Sequence, residues 1–190
     1  MTDVSPSSKT RWKVPFEWTE ELSLLDGGMD RDVSWSDAET DERFQAVVGD
    51  SLFSSLDISD IARVTSLGVA EAARTVLASV PGWGCTWRTG WWKLLNYRSE
   101  PVGFVLPVTY DDTFRGGRPL GTIFHIGVVP AFRGYGFGRL LLRDATRTLM
   151  SNGAYRIFCD TDVTNAPMIH LFESEGWRRL PDRAVPLTAF

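Results

Sequence analysis

The sequence has few of the residues that build metal sites and disulfide frameworks. Its 190 residues include two cysteines, Cys85 and Cys159, and two histidines, His125 and His170. They form no CxxC pair and show no metal-ligand spacing, and a single disulfide is not a framework. We therefore predict a protein without a metal, with reduced thiols, located in the cytoplasm.

Long apolar runs are also missing. No stretch of about 18 apolar residues occurs, so we expect no membrane-spanning helix. The first ten residues are polar, and we expect no secretory signal there. With 43% hydrophobic and 23% charged residues, the composition is that of a globule with a sizeable core. The length suits one ordinary domain.

The net charge of −4 is unevenly distributed. Residues 1–60 contain 14 acidic and 5 basic residues, whereas residues 61–190 contain 10 acidic and 15 basic ones. This argues against a uniformly basic nucleic-acid binder. It favours two different electrostatic tasks for the two parts of the chain.

The order of predicted elements indicates a mixed α/β fold. We expect an N-terminal extension over residues 1–29, loose over about the first ten residues, and a domain over residues 30–190. Strands are predicted near residues 32–35, 91–98, 102–110, 122–129, 155–161, 177–180 and 184–187, with a loop over residues 111–119. Helices are predicted from residue 36, from residues 57–59, and over residues 138–152 and 165–176.

Three of these helices carry start signals. Ser36 and Glu39 have the spacing of a capping box, which predicts a helix start at residue 36. Asp57 or Ser59 can cap the next helix, which Gly68 interrupts. Asn165, just before a proline, predicts the start of the last helix.

The most informative segment is residues 128–139, VVPAFRGYGFGR, where a strand ends, three glycines alternate with aromatics and a helix begins. Such a loop presents successive N–H groups suited to a phosphate or pyrophosphate. The Lys-Ser/Thr of a P-loop is missing after Gly138, and the spacing G-x-G-x-G fits a dinucleotide fingerprint poorly. A tight turn without a ligand stays an alternative. Arg139, Arg143 and Arg147 recur on one helix face and add positive charge.

Two motifs together carry a family resemblance. Residues 133–138, RGYGFG, follow a strand ending IGV and resemble the acyl-CoA loop of the GNAT superfamily of acetyl-CoA-dependent N-acyltransferases. Asn165 followed by LFESEGW at residues 171–177 is similar to the second signature of that family. The resemblance covers about residues 30–181. It implies a mostly antiparallel central sheet flanked by helices, and direct transfer of an acetyl group to a primary amine of a small molecule, peptide or protein.

The resemblance also implies which residues hold acetyl-CoA. The end of the strand, Ile126 to Val128, would pair with the pantetheine arm, and the backbone near Val128 would stabilise the oxyanion. Asn165 would touch the cofactor arm, although it can equally act as a helix cap. The remaining cofactor contacts implied are Arg133, Gly134, Tyr135, Gly136, Phe137, Gly138, Arg139 and Phe172.

Direct transfer needs a base that deprotonates the amine. The motifs resemble ribosomal-protein N-terminal acetyltransferases, whose base lies five residues before the asparagine, here at Asp160. An arginine partner or strand cap is the alternative for Asp160. His125, in mid-strand, is the second candidate because imidazole titrates near neutral pH. A packed, hydrogen-bonded histidine is its alternative.

The proton donor differs from the family pattern. The tyrosine of the family is replaced by Phe172, which has no proton to give. Water, Tyr110 or His170 would serve instead, or the thiolate leaves unprotonated. A non-catalytic acyl-CoA-binding sensor or scaffold is therefore the alternative function, and a nicotinamide dinucleotide binder is a third.

The acceptor is less well indicated. Trp83, Trp87, Trp91 and Trp92 either wall an apolar pocket or fill the core and an interface. The acid-rich segment 17–60 favours a cationic amine, with a solvated helix face as the alternative. The sequence leaves a homodimer open.

Overall fold

The computed structural model describes residues 10–22 and 32–186, which form nine strands and five helices. The strands are β1 (Thr10–Thr19), β2 (Val33–Asp37), β3 (Cys85–Thr86), β4 (Lys93–Tyr97), β5 (Glu100–Arg115), β6 (Arg118–Val128), β7 (Arg156–Asp162), β8 (Arg178–Arg179) and β9 (Arg183–Pro186). The helices are α1 (Phe44–Phe53), α2 (Ile58–Leu67), α3 (Val69–Ser79), α4 (Phe137–Ser151) and α5 (Ala166–Ser174). None of the helices in these described ranges is long and apolar enough to cross a membrane.

The strands form one sheet in the order β2-β4-β5-β6-β7-β1-β8, with β3 beside β5 and β9 beside β1. The β6–β7 pair is parallel, and the other pairs are antiparallel. The predicted mixed, mostly antiparallel sheet is therefore confirmed. The parallel pairing extends over two residue pairs only, Leu120–Arg156 and Gly121–Ile157. Beyond them the sheet opens between β6 and β7.

A β-bulge in β6 accompanies this opening. Leu106 pairs with His125 while Pro107 pairs with Ile123, so Phe124 is an extra residue on β6. A bulge bends its strand and increases the local twist. It therefore turns the second half of β6 relative to β7.

Helices cover both faces of the sheet. Gly103 and Phe104 are neighbours on β5 and so point to opposite faces. A Cβ on Gly103 would lie 3.0 Å from Leu141 of α4, whereas the ring of Phe104 contacts Phe44 of α1. The layers are thus α1, the sheet and α4, with a core of buried aliphatic and aromatic side chains between them.

The N-terminal strand differs from the sequence expectation. Residues 11–29 were expected as an extension ahead of the domain, but β1 lies inside the sheet. It pairs with β7 from Lys13–Asp162 to Thr19–Arg156 and with β9 on its other side. Val14, Phe16 and Trp18 of β1 are buried, and this apolar surface explains why the segment joins the sheet. Residues 1–9 lie outside the described residues, so their predicted looseness stays a prediction.

Two helix predictions need correction. The capping box at Ser36 does not start a helix, because its hydroxyl donates to Asp41 and turns precede α1. Gly68, with φ of +77°, separates α2 and α3 completely. The predicted cap at Asp57 is confirmed, since its carboxylate accepts the Ser59 N–H at 2.9 Å.

The predicted loop over residues 111–119 is also wrong. Strand β5 continues to Arg115 and β6 begins at Arg118. Gly116 and Gly117 form the turn between them, and both have positive φ, as tight hairpin turns require.

Candidate active site

A cavity of about 710 Å³ lies where β6 and β7 separate. Residues 122–128 of β6 form one wall and residues 158–161 of β7 form the other. The segment before α2, the start of α5 and the first part of β1 close it. Its volume is in the range typical of small-molecule sites.

The loop of residues 133–138, which we call the glycine loop, lies at the rim of this cavity. Gly134 and Gly136 have φ of +84° and +87°, a region that glycine adopts without strain. Gly136 caps α4 with no side-chain hydrogen bond, and the Arg139 N–H donates to the Gly136 carbonyl at 3.0 Å. The N–H groups of Phe137 and Gly138, at the start of α4, are therefore available to a ligand. A Cβ on Gly134 or Gly136 would enter open space. Helix N-termini of this kind can bind an anion.

The arginines near the loop are engaged by the protein. Arg133 donates hydrogen bonds to the carbonyl oxygens of Val128, Ser54 and Ser51, at 3.0, 2.9 and 3.2 Å. Arg139 and Arg143 both contact the buried carboxylate of Glu175, at 2.6 and 2.5 Å. The expectation that Arg143 adds positive charge beside the loop is wrong, because its side chain is buried in this ion pair with Glu175.

The second motif supplies a cap and a core residue. The side chain of Asn165 accepts the Met168 N–H at 3.3 Å, which confirms its role as a cap of α5. Phe172 stacks on Phe16 with ring centroids 4.7 Å apart and also lines the cavity. The family's tyrosine position is therefore an apolar part of the cavity wall.

His125 lines the cavity beside a carboxylate. Its Nε2 lies 3.6 Å from Oδ2 of Asp60, and its ring stacks on Phe104. Asp60 is buried and accepts hydrogen bonds from Ser55 at 2.8 Å and Arg63 at 3.2 Å. A carboxylate in this position faces the imidazole across the cavity wall.

Asp160 belongs to an ion-pair cluster. Arg183 contacts its Oδ2 at 2.5 Å, and Lys13 Nζ lies 4.0 Å from its Oδ1. Lys13 also contacts Asp57 at 2.6 Å and Asp162 at 3.0 Å. The arginine-partner alternative for Asp160 is thus what the structure shows.

The cluster changes the acidity of its members in opposite directions. Burial alone would raise the pKa of Asp57, but the charge and hydrogen bond of Lys13 lower it to about 2. Burial and the neighbouring charge of Asp57 raise the pKa of Asp162. Asp57 therefore holds its negative charge more firmly than Asp162 does.

Of the two proton-donor candidates, the fold places one in the cavity and the other outside it. Tyr110 lines the cavity, and burial, reinforced by nearby Cys85, raises its pKa to about 12. Its hydroxyl is therefore protonated at neutral pH. His170 is exposed and lies outside the cavity lining.

The tryptophans divide between the core and the cavity. Trp91 and Trp92 are buried in the core, and Trp92 stacks on Trp87. Trp83 is 66% exposed and lines the main cavity. The core alternative holds for the buried pair.

The structure brings most predicted site residues together. Those that line the cavity are His125, Ile126, Val128, Arg133, Gly138, Asp160, Asn165 and Phe172. Those on the rim outside this lining are Gly134, Tyr135, Gly136, Phe137 and Arg139, of which Phe137 is buried. Four other residues that line the cavity were not predicted as site residues: Arg11, Lys13, Asp60 and Arg63. Asp57 also lines the cavity, and the sequence predicted it only as a helix cap.

Comparison with known proteins identifies this arrangement. The sequence model of a family described as "Acetyltransferase (GNAT) family" matches residues 82–177, just over half of the chain. The chain belongs to the GNAT acetyltransferase family. The matched range includes the glycine loop and both walls of the cavity, so the predicted membership is confirmed.

Curated GNAT relatives match over shorter stretches. Mycothiol acetyltransferase of Acidothermus cellulolyticus is 41% identical over 63 residues, which is 33% of this chain and 19% of that protein. Glucosamine 6-phosphate N-acetyltransferase of Trypanosoma brucei brucei is 34% identical over 64 residues, 34% of this chain and 42% of that protein. The matches therefore span less than half the length of these relatives.

Solved structures share the GNAT fold over most of the chain. The crystal structure of a GCN5-related N-acetyltransferase from Sphaerobacter thermophilus aligns with a TM-score of 0.57 at 15% identity. The alignment covers 91% of this chain and 50% of the other, so this chain spans about half the length of that protein. The shared feature is the fold.

Proposed function

We propose that this protein is an N-acetyltransferase that moves an acetyl group from acetyl-CoA directly to a primary amine. The observation that carries the proposal is the glycine loop at the rim of the opening between β6 and β7. Family membership supports it, because GNAT acetyltransferases use acetyl-CoA. Relatives named acetyltransferases for mycothiol and glucosamine 6-phosphate support it as well.

The cofactor end is a backbone site in this proposal. The N–H groups of residues 134–138 bind the pyrophosphate, since the Arg139 N–H donates to the Gly136 carbonyl at 3.0 Å. Ile126 to Val128 pair with the pantetheine arm. Gly138 supports this assignment, because its missing side chain leaves room beside Leu171. Acetyl-CoA supplies a thioester whose carbonyl carbon is attacked by the amine.

The base comes from the acceptor end, the part of the cavity away from the glycine loop. As the C–N bond forms and the C–S bond breaks, the amine loses a proton and the departing sulfur gains one. We assign the base to His125, because its Nε2 lies in the cavity 3.6 Å from Asp60 and no arginine among the described residues holds it, whereas Asp160 is held by Arg183. Asp160 is the second candidate. Tyr110 is the donor we favour, because it lines the same cavity, whereas His170 does not.

The function is tested by binding and then by turnover. Acetyl-CoA should raise the melting temperature more than NAD(H) does, and a panel of amines should release free CoA thiol above the rate of hydrolysis. Stabilisation by NAD(H) alone would contradict the proposal. Stabilisation by CoA without thiol release from any amine would favour the sensor or scaffold, which the replacement of tyrosine by Phe172 also favours.

The base assignment is tested by the pH dependence of kcat/KM. His125→Gln should lower kcat by about 10²-fold or more and remove the acid limb of the profile. Asp160→Asn should keep that limb. The reverse pattern would assign the base to Asp160.

The setting of the reaction belongs to the same proposal. A cytoplasmic location is supported by the free thiols of Cys85 and Cys159. A cationic acceptor is supported by the carboxylates of Asp57, Asp60 and Asp160 in the cavity. Dimerisation stays a prediction.

A further inference from the structure

The part of the cavity away from the glycine loop is lined by both basic and acidic side chains. Arg11, Lys13, Arg63 and Arg183 line it together with Asp57, Asp60 and Asp160, and Asp162, outside the lining, contacts Lys13 at 3.0 Å. Overall these charges balance, so an anionic group on the acceptor needs a cation whose carboxylate partner is distant.

Arg11 is the basic side chain with the poorest partners. Asp57 lies next to it, but its Oδ2 contacts Lys13 at 2.6 Å, while Arg11 Nη1 is 3.8 Å from its Oδ1. Nε and Nη1 of Arg11 are buried and donate no hydrogen bond to any described residue. Buried guanidinium N–H groups normally have acceptors.

Arg63 adds a second guanidinium close by. It lies on α2 and contacts Asp60 at 3.2 Å. Burial lowers the pKa of Arg63, and the charge of Arg11 also lowers it, against the opposing effect of Asp60 and Asp57. Two guanidiniums that repel each other in a partly buried cavity are both stabilised by an anion placed between them.

We propose that the acceptor is a small amine that also carries a carboxylate or phosphate group, and that this group binds at Arg11 and Arg63. The inference rests on the proposed acetyltransferase function. Asp60 contacts both Arg63 and His125, and the anion-binding end therefore lies next to the proposed base. A compact zwitterion reaches both, whereas a long polycation meets repulsion.

Matched pairs of acceptors test the proposal by steady-state kinetics. The pairs are an amino acid with its amide, and an amino sugar with its 6-phosphate. We expect the anionic member of one pair to have about tenfold or more higher kcat/KM. Whichever pair shows the preference identifies the anionic group of the acceptor as a carboxylate or a phosphate.

Variants locate the preference. Arg11→Gln should bring the ratio of the two kcat/KM values close to one. Arg11→Lys should leave an intermediate ratio, because it keeps the charge but loses the planar fork. Arg88→Gln is the control, since Arg88 is an exposed arginine that lines a different cavity, and it should keep the wild-type ratio. Ratios near one in the wild type, or an unchanged ratio in Arg11→Gln, would overturn the proposal.

A binding measurement separates this proposal from the acetyltransferase proposal. At saturating CoA, inorganic phosphate should raise the melting temperature of the wild type but not that of Arg11→Gln. If that difference appears and no amine is acetylated, the anion site stands and the enzyme proposal fails. If amines are acetylated and phosphate affects both proteins equally, the anion site fails. Should Arg11→Gln not fold, Arg11→Lys carries both measurements with a partial loss.

Discussion

The two ends of the cavity use different chemical groups, backbone N–H groups at one end and charged side chains at the other. The glycine loop offers backbone N–H groups, and the arginines around it are turned towards carbonyl oxygens or Glu175. The acceptor end is built from charged side chains of β1, α2, β6 and β7. One end is specified by glycines at fixed spacing, and the other by a balance of charges from distant segments.

This difference bears on how each end responds to mutation. A backbone site depends on a conformation that few residues adopt, so a single methyl group can disturb it without removing any contact. A buried charge cluster depends on every member, because removing one leaves the others without compensation. Five expected outcomes follow from this contrast, beginning with the largest.

At the acceptor end, replacement of Lys13 should lower the stability of the protein most. Lys13→Met leaves the buried carboxylate of Asp162 without its cation and leaves half-buried Asp57 with only the more distant Arg11, and the free energy of unfolding should fall by about 3–5 kcal/mol. Urea denaturation measures it. The control is Arg74→Met, which removes an exposed ion pair with Glu71 and should cost less than about 1 kcal/mol. Equal losses in both variants would show that the cluster contributes no more than a surface pair.

The same cluster should make stability depend on pH. Because the folded pKa of Asp57 is lowered from 3.8 to about 2, its contribution is present above pH 4 and is lost as the pH falls through 2. That contribution is about 2 kcal/mol. Asp57→Asn should remove this part of the acid slope in unfolding free energy measured across that range.

Asp162→Asn should change the slope in the opposite sense. The folded pKa of Asp162 is raised, so its contribution is present at low pH and is lost as the pH rises above its unfolded value. Slopes that change in the same direction in both variants would contradict the assignment of charges within the cluster.

At the cofactor end, Gly136→Ala should cost about 1–2 kcal/mol of stability because of its positive φ. It should also raise the Kd for CoA roughly tenfold, a change of about 1.4 kcal/mol. Gly116→Ala is the matched control, since Gly116 also has positive φ but lies in the β5–β6 turn. Calorimetric titration with CoA should find the control unchanged in Kd. A loss of affinity in both would point to general destabilisation.

The smallest expected effect concerns the exposed charges of α4. Arg139→Gln should raise the Kd for CoA by up to about threefold at low salt, and less at high salt. Arg147→Gln, two turns further from the loop, should leave it unchanged. A large effect of Arg139 at high salt would mean that its side chain leaves Glu175 to bind the ligand directly.

The cofactor end was the part that the sequence made predictable. The glycines at 134, 136 and 138 lie within one short segment, and their conformation depends on local backbone chemistry. The strand before them and the helix after them follow from apolar periodicity. Asn165 was predictable as a cap for the same local reason.

The acceptor end was not predictable in this way. Asp60 and His125, or Arg11 and Arg63, come together only when β1, α2 and β6 pack, and no spacing along the chain records that contact. β1 was mistaken for an extension because the strands that flank it, β7 and β9, lie far along the sequence. The loop over residues 111–119 was mistaken because its polar residues form a two-stranded ribbon that extends beyond the core.

The position of β1 has a consequence for the order of folding. Its partners, residues 156–162 and 183–186, are the last of the described chain to be synthesised. While the ribosome is still adding them, the apolar side chains of Phe16 and Trp18 have no sheet to enter. Pairings over such long sequence separations close slowly, and unpaired strands are exposed to aggregation meanwhile. A nascent chain that already has its glycine loop therefore still lacks Arg11 and Lys13 in place, and the acceptor end is completed last.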